Sequence, residues 1–171
     1  QCECIEGYFR STHNFQCTGC PLGTYKPLVS NGRSSCFGCP RGRYGVKEAS
    51  TTVSDCVSCG IGKYQPLEGA NNITYCLNCP SGRYSSAFGL ESSFLCTPCG
   101  IGKYSSETGA VSESVCHQCF VGKSTNGTGS FSFASCVSCS SLNNVQDTSN
   151  CRSNVGISSV VIAVISVVSA L

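Results

Sequence analysis

A chain of 171 residues with 17 cysteines, no Met, no Trp and only 12% charged residues has the composition of a disulfide scaffold, not of an ordinary domain. Its net charge of +2 is too small and too dispersed for a nucleic-acid footprint, so no nucleic-acid partner is expected. The apolar content of 40% comes largely from the cysteines and the C-terminal tail. Between successive C-x-x-C pairs only a few large apolar side chains occur, such as Tyr64, Leu67, Ile73 and Tyr75. Units that small cannot fold on a hydrophobic core alone.

In chain order, the first unit is degenerate, with Cys2 and Cys4 in C-E-C-I-E-G-Y-F. From Cys39 the second cysteine of each C-x-x-C recurs every 20 residues, at Cys59, Cys79, Cys99, Cys119 and Cys139; Cys20 to Cys39 is one residue shorter. A fixed short period marks an array of small units. Each reads C-[P/G]-x-G-[K/R]-Y, then polar residues and a second glycine, then a short run into the next pair. Gly23, Gly42, Gly62, Gly82 and Gly102 are expected to turn the chain at positive φ. The Tyr that follows is expected to open a short strand lying over the neighbouring disulfide, with the late glycine turning the chain back antiparallel. Two short strands per unit and little helix are predicted, because no stretch before residue 155 keeps a helical apolar period. A weaker 40-residue period makes C-P-R-G-R-Y at Cys39 similar to C-P-S-G-R-Y at Cys79, and repeats C-G-I-G-K-Y at Cys59 and Cys99. The cations Arg43, Lys63, Arg83, Lys103 and Lys123 fall one per unit, as a solvated row.

Residues 1–139 thus read as the repeat array, 140–154 as a Ser/Asn-rich stem and 155–171 as a hydrophobic C-terminal segment. Gln1, with no signal-peptide pattern after it, is expected to begin a processed form or a fragment.

Repeated C-x-x-C admits three chemistries. The spacing C-x2-C-x16-C-x2-C suits tetrahedral zinc, which makes an intracellular zinc-binding array the competing reading. A thioredoxin-like redox site needs a helix at the motif, and nothing here supplies one. Structural disulfides in an oxidising compartment are the preferred reading. Their simplest connectivity joins the second cysteine of each pair to the first of the next: Cys4–Cys17, Cys20–Cys36, Cys39–Cys56, Cys59–Cys76, Cys79–Cys96, Cys99–Cys116, Cys119–Cys136 and Cys139–Cys151. Cys2 would then pair upstream of Gln1. A first-to-first, second-to-second pattern stays open at this level.

The unit C-x-x-C-P-x-G-x-Y…G…C-x-x-C resembles the ephrin-receptor-like cysteine-rich repeat. It is also similar to the cysteine-rich modules of tumour necrosis factor receptors and to cysteine-rich surface proteins of protists. Cys17, Cys20, Pro21, Gly23, Tyr25, Cys36 and Cys39 carry the match, as do Cys76, Cys79, Pro80, Gly82, Tyr84, Cys96 and Cys99. The resemblance favours the hairpin connectivity above and implies an extracellular, non-catalytic module. The extra mid-loop cysteine of the fuller receptor modules is missing, so no ligand-contact residues carry over.

The 17 uncharged residues 155–171 fall just short of the ~20 usual for a membrane span. They read as a lipid-anchor signal with attachment at Ser153 or Asn154, or as a transmembrane helix. Asn72-Ile-Thr and Asn126-Gly-Thr are glycosylation sequons. His13, His117, Asp55 and Asp147 are isolated and no catalytic motif occurs, so neither enzyme activity nor a cofactor is expected. The expected molecule is an elongated, mostly β or irregular array of disulfide-closed hairpins with a helical hydrophobic tail, each unit touching mainly its neighbours. It is expected at the cell surface as a structural or adhesive coat or ligand-binding stalk. Its partners would be the membrane, through the tail, and an extracellular protein or glycan, with self-association as a further mode.

Overall fold

The computed structural model describes residues 4–13, 15–28, 35–142 and 150–151. Seven two-stranded antiparallel hairpins follow one another along the chain. They are β1 (Tyr8–Arg10) with β2 (Cys17–Gly19), β3 (Thr24–Tyr25) with β4 (Phe37–Gly38), and β5 (Arg43–Tyr44) with β6 (Val57–Ser58). Then come β7 (Lys63–Tyr64) with β8 (Leu77–Asn78), and β9 (Arg83–Tyr84) with β10 (Thr97–Pro98). The last two are β11 (Lys103–Tyr104) with β12 (His117–Gln118), and β13 (Lys123–Ser124) with β14 (Val137–Ser138). In each later hairpin the Tyr position faces the residue just after the first cysteine of the next pair, as in Tyr64 opposite Leu77. No α-helix occurs among the described residues. The predicted helical tail lies outside them.

Each first strand leaves a tight turn. Thr24 N–H donates to Pro21 O at 3.1 Å, Arg43 N–H to Pro40 O at 3.1 Å and Lys63 N–H to Gly60 O at 3.3 Å. The third residue of such a turn needs positive φ, and Gly62 takes it at 71°. Before the second strand of each of the last five hairpins the chain makes a single 3₁₀ turn: Val53–Asp55, Ile73–Tyr75, Ser93–Leu95, Glu113–Val115 and Phe133–Ser135. Asn72, Ser92 and Ser132 cap theirs, accepting from the backbone N–H two residues on. The sequence pattern [Thr/Asn/Ser]-x-x-x-Cys carried this signal.

The buried apolar residues among those described are cysteines, Ala70 and Ala110. Disulfides therefore stand where leucines would in a larger domain. Some aromatic rings pack on one another beside this core: Tyr25 stacks on Phe37 at 5.8 Å between centroids, and Tyr104 meets Phe133 edge-on at 5.8 Å.

Successive hairpins are joined mainly through backbone bonds. The turn glycine of one unit donates to the residue after the next unit's tyrosine position: Gly42 N–H to Gln65 O (2.8 Å), Gly62 to Ser85 O (2.9 Å), Gly82 to Ser105 O (2.8 Å). That residue's own N–H goes one unit further, from Gln65 to Leu90 O (2.9 Å) and from Ser85 to Ala110 O (3.0 Å). The late glycines close the pattern, Gly69 N–H reaching Cys39 O and Gly109 N–H reaching Cys79 O, both at 2.8 Å.

One expectation needs extending. Units contact not only their neighbours but also the unit after next. An added Cβ on Gly62 would lie 2.3 Å from Gly109 O and 3.1 Å from Ala110 O, two units along. The missing side chain is what lets that loop close over the turn.

Candidate functional surface

The structure joins Cys4–Cys17, Cys20–Cys36, Cys39–Cys56, Cys59–Cys76, Cys79–Cys96, Cys99–Cys116, Cys119–Cys136 and Cys139–Cys151. Every bond lies inside one unit and closes its loop, with Cα atoms 5.7 Å apart at Cys39–Cys56 and 6.0 Å at Cys79–Cys96. Closing a loop of this size is worth about 3 kcal/mol on the chain-entropy account. Bonded sulfurs are not metal ligands, and no group of three or more His, Cys, Asp or Glu among the described residues is placed to hold an ion. The disulfides thus argue against the zinc-array alternative.

One buried polar position recurs from unit to unit, and the sequence did not announce it. Lys26, Gln65, Ser85, Ser105 and Thr125 are buried, each the residue after the tyrosine position. Lys26 Nζ donates to Tyr8 O at 2.8 Å, and Gln65 Nε2 donates to Arg43 O at 3.2 Å while its Oε1 accepts from Leu67 N–H. Ser85 Oγ accepts from Ala87 N–H at 3.0 Å. Thr125 goes further: its Oγ1 accepts from Gly102 N–H at 2.9 Å and donates to Gly127 O at 2.8 Å. It thereby supplies the acceptor that a backbone carbonyl provides in earlier units. At the last turn the same place is taken from outside the array, Gly122 N–H donating to Asn150 O at 3.1 Å. Asn150 Nδ2 also donates to Cys119 O at 3.0 Å, and Asn150 Oδ1 accepts from Gln118 Nε2 at 3.0 Å.

The row of cations turns inward on its own hairpins. Arg43 and Arg83 reach Cys56 O (3.4 Å) and Cys96 O (2.8 Å), whereas Lys63 and Lys103 reach Asn78 Oδ1 (2.7 Å) and Glu113 Oε1 (2.6 Å). Lys123 Nζ sits 5.7 Å from the Phe133 ring centroid. Asp55 accepts from Thr51 and Thr52 N–H at 2.9 and 3.1 Å, with Lys47 Nζ 3.8 Å away. The bond from Thr52, then that from Thr51, hold its carboxyl below the usual value. His13 is exposed, and His117 packs against Tyr104 at 5.9 Å between ring centroids, in a different unit. Asp147 lies outside the described residues.

Asn72 and Asn126 are both exposed. Asn72 Oδ1 accepts from Thr74 N–H at 2.9 Å, an Asx turn that leaves its Nδ2 pointing away from the backbone bond. Ser153, Asn154 and the whole segment 155–171 lie outside the described residues. No helix among the described residues is long and apolar enough to cross a membrane. Exposed apolar side chains recur along the array, among them Leu67, Ile73, Tyr75 and Leu77 in its middle and Phe120, Val121, Phe131 and Phe133 near its C-terminal end.

Tandem hairpins, one disulfide to a loop and no larger core define a small disulfide-rich repeat protein. Such bonds persist in oxidising compartments. Residues 7–56, from the first turn glycine to the cysteine that closes the third loop, match the family model described as tyrosine-protein kinase ephrin type A/B receptor-like. Over that part the chain is similar to the ephrin receptor-like cysteine-rich family, and the match with the tandem disulfides fits a cysteine-rich repeat. Together they support an extracellular disulfide-rich domain.

Proposed function

We propose that the chain is a non-catalytic cell-surface ectodomain, an elongated stalk or coat element whose units 1–139 stand off a membrane that residues 155–171 engage. The observation that carries this reading is one disulfide in every loop, with backbone bonds passing from unit to unit along the chain. That construction keeps a fixed spacing without a large core and suits a spacer or adhesive surface. Residues 140–154 serve as the stem, and Ser153 or Asn154 as the lipid attachment residue if the tail is an anchor signal. Exposed Asn72, with its Asx turn, and exposed Asn126 are the glycan acceptors. An extracellular protein or glycan is the expected ligand class, and lateral association of identical stalks is compatible with it. The inward-turned cations leave little charge to recruit nucleic acid.

The test is expression of the full chain behind a cleavable secretion signal in cultured eukaryotic cells. Labelling of intact cells is expected, with a mass loss on glycosidase treatment that Asn72→Gln reduces. Release by a phosphatidylinositol-specific phospholipase selects the lipid anchor; retention selects the span. Recovery from the cytosol with free thiols would overturn the proposal.

A further inference from the structure

The turn Cys119-Phe120-Val121-Gly122 departs from the five turns before it, and only the first turn, with Ile5 after Cys4, also places an apolar residue there. The residue after the cysteine is Pro21, Pro40, Gly60, Pro80 or Gly100 in the units between, each a turn former. Here it is Phe120, 69% exposed, followed by Val121, 92% exposed. Terminal repeats of an array usually present a polar outer face, so an apolar tip at the end of this one needs an occupant. Phe120 is also part of a larger patch: its ring meets Phe133 edge-on at 5.5 Å, Phe133 carries Lys123 at 5.7 Å, and Phe131 is exposed nearby in the chain.

The position of this tip relative to the C-terminal tail identifies the occupant. Asn150 is bonded to both ends of the turn, through Cys119 O and Gly122 N. The described chain leaves the array one residue later, at Cys151. Only Arg152, Ser153 and Asn154 separate that point from the uncharged run 155–171. Three residues span at most about 11 Å even when fully extended. A bilayer entered by residues 155–171 would therefore begin within four residue steps, at most about 14 Å, of Cys151, beside the turn that Asn150 holds. Aromatic and aliphatic side chains beside a lysine are the composition that settles at a lipid headgroup boundary. We infer that Phe120, Val121, Phe131 and Phe133, with Lys123, form a lipid-facing foot that seats the last unit on the outer surface of the bilayer.

The inference rests on membrane engagement by the tail, and the experiment separates the two. The full chain is incorporated into vesicles of zwitterionic and anionic phospholipid, with or without lipid brominated near the headgroup end of its acyl chains. The protein has no Trp, so Phe120→Trp introduces a single indole reporter. Phe94→Trp, replacing a ring 85% exposed two units earlier, is the control. Both variants must keep the thiol count of the parent. The expected result is flotation of both variants with vesicles. Position 120 should show a blue shift and loss of emission on brominated lipid, and position 94 neither. Flotation without quenching at position 120, or with equal quenching at 94, overturns the foot while leaving membrane engagement intact. A blue shift at 120 already present without vesicles, and insensitive to brominated lipid, overturns it in favour of the tail or a second copy covering the patch. Failure to float overturns both readings.

Discussion

Replacing Gly62 by Ala isolates the contact between units two steps apart. The perturbation has two components. Alanine at φ +71° pays the left-handed penalty, roughly 1–2 kcal/mol, offset by roughly 0.4–1 kcal/mol of reduced freedom in the unfolded chain. The new Cβ would also sit 2.3 Å from Gly109 O and 2.9 Å from Gly109 C, an overlap with backbone that only a shift of the loop relieves. Overpacking of this kind costs about 1–3 kcal/mol. Gly122→Ala supplies the reference: its φ is +79°, and an added Cβ meets nothing described within 4 Å. The difference between the two variants is therefore the inter-unit contact, about fivefold to 150-fold in an opening equilibrium. Amide hydrogen exchange of the folded, oxidised chain reads it at Gly109, whose N–H bonds to Cys79 O. Exchange at Gly109 should accelerate by that factor in Gly62→Ala and stay unchanged in Gly122→Ala. Equal effects of the two substitutions at Gly109, or none, would refute contact between alternate units.

Other substitutions probe the remaining parts of the ladder. Gly60→Pro should stabilise the chain by about 0.4–1 kcal/mol, because Pro40 and Pro80 hold the equivalent place and the Lys63 N–H to Gly60 O bond is kept; a loss of stability in denaturant would count against equivalence of the turns. Thr125→Val removes the acceptor for Gly102 N–H at nearly constant shape and should cost about 1–3 kcal/mol, with Thr125→Ser retaining most of it; similar denaturation midpoints for the two variants would refute that role. Asp55 has a lowered value in the folded chain, so on acidification the unfolded chain takes up the proton first. Its contribution is complete above the ordinary carboxylate value and lost as pH falls through the folded one. Asp55→Asn should flatten that acid limb, and an unchanged pH profile would show the Thr51 and Thr52 bonds to be idle. With sixteen cysteines in eight bonds, thiol labelling of the denatured, unreduced protein should find at most Cys2 free, and chelator should not change the unfolding curve. Many free thiols with stoichiometric zinc would reverse the argument.

The repeat boundaries and hairpins were legible because cysteine and the turn glycines leave a fixed mark at a fixed spacing. The connections between hairpins were not. At the linking position the chain carries Lys26, Gly45, Gln65, Ser85, Ser105 and Thr125, polar apart from Gly45 but differing in size, charge and hydrogen-bonding groups. What they share is a backbone N–H and C=O, which every residue owns, so no side-chain pattern reports the bond. Gly45 adds a different constraint, since a Cβ there would approach Cys39 Sγ to 3.0 Å. The 3₁₀ turns were in principle readable from Thr52, Asn72, Ser92, Ser112 and Ser132, each four residues before a cysteine. Asn150 was not, because one asparagine in a Ser/Asn-rich stretch looks like its neighbours until its three bonds to the last turn are seen. The exposed Phe120 stood in the sequence as a departure from Pro or Gly, and only its junction with Asn150 gave that departure a meaning.

The placement of one disulfide inside each loop also sets how the chain carries load. Tension along the backbone enters a unit at one cysteine, crosses the sulfurs to its partner and leaves through the short link to the next pair. At Cys39–Cys56 the crossing measures 5.7 Å between Cα atoms, and the link on to Cys59 adds about 10 Å when straight. Residues 40–55 lie off that path and cannot be pulled out. Even with every hairpin hydrogen bond broken, extension stops at about 16 Å per unit, far short of what 20 free residues would yield. A backbone cut in such a loop leaves the two ends tied through sulfur. A cut in a two-residue link, such as Val57–Ser58, severs the strand. The links between cysteine pairs are therefore the points where this chain can be parted, and the loops are where it can be altered without losing its length.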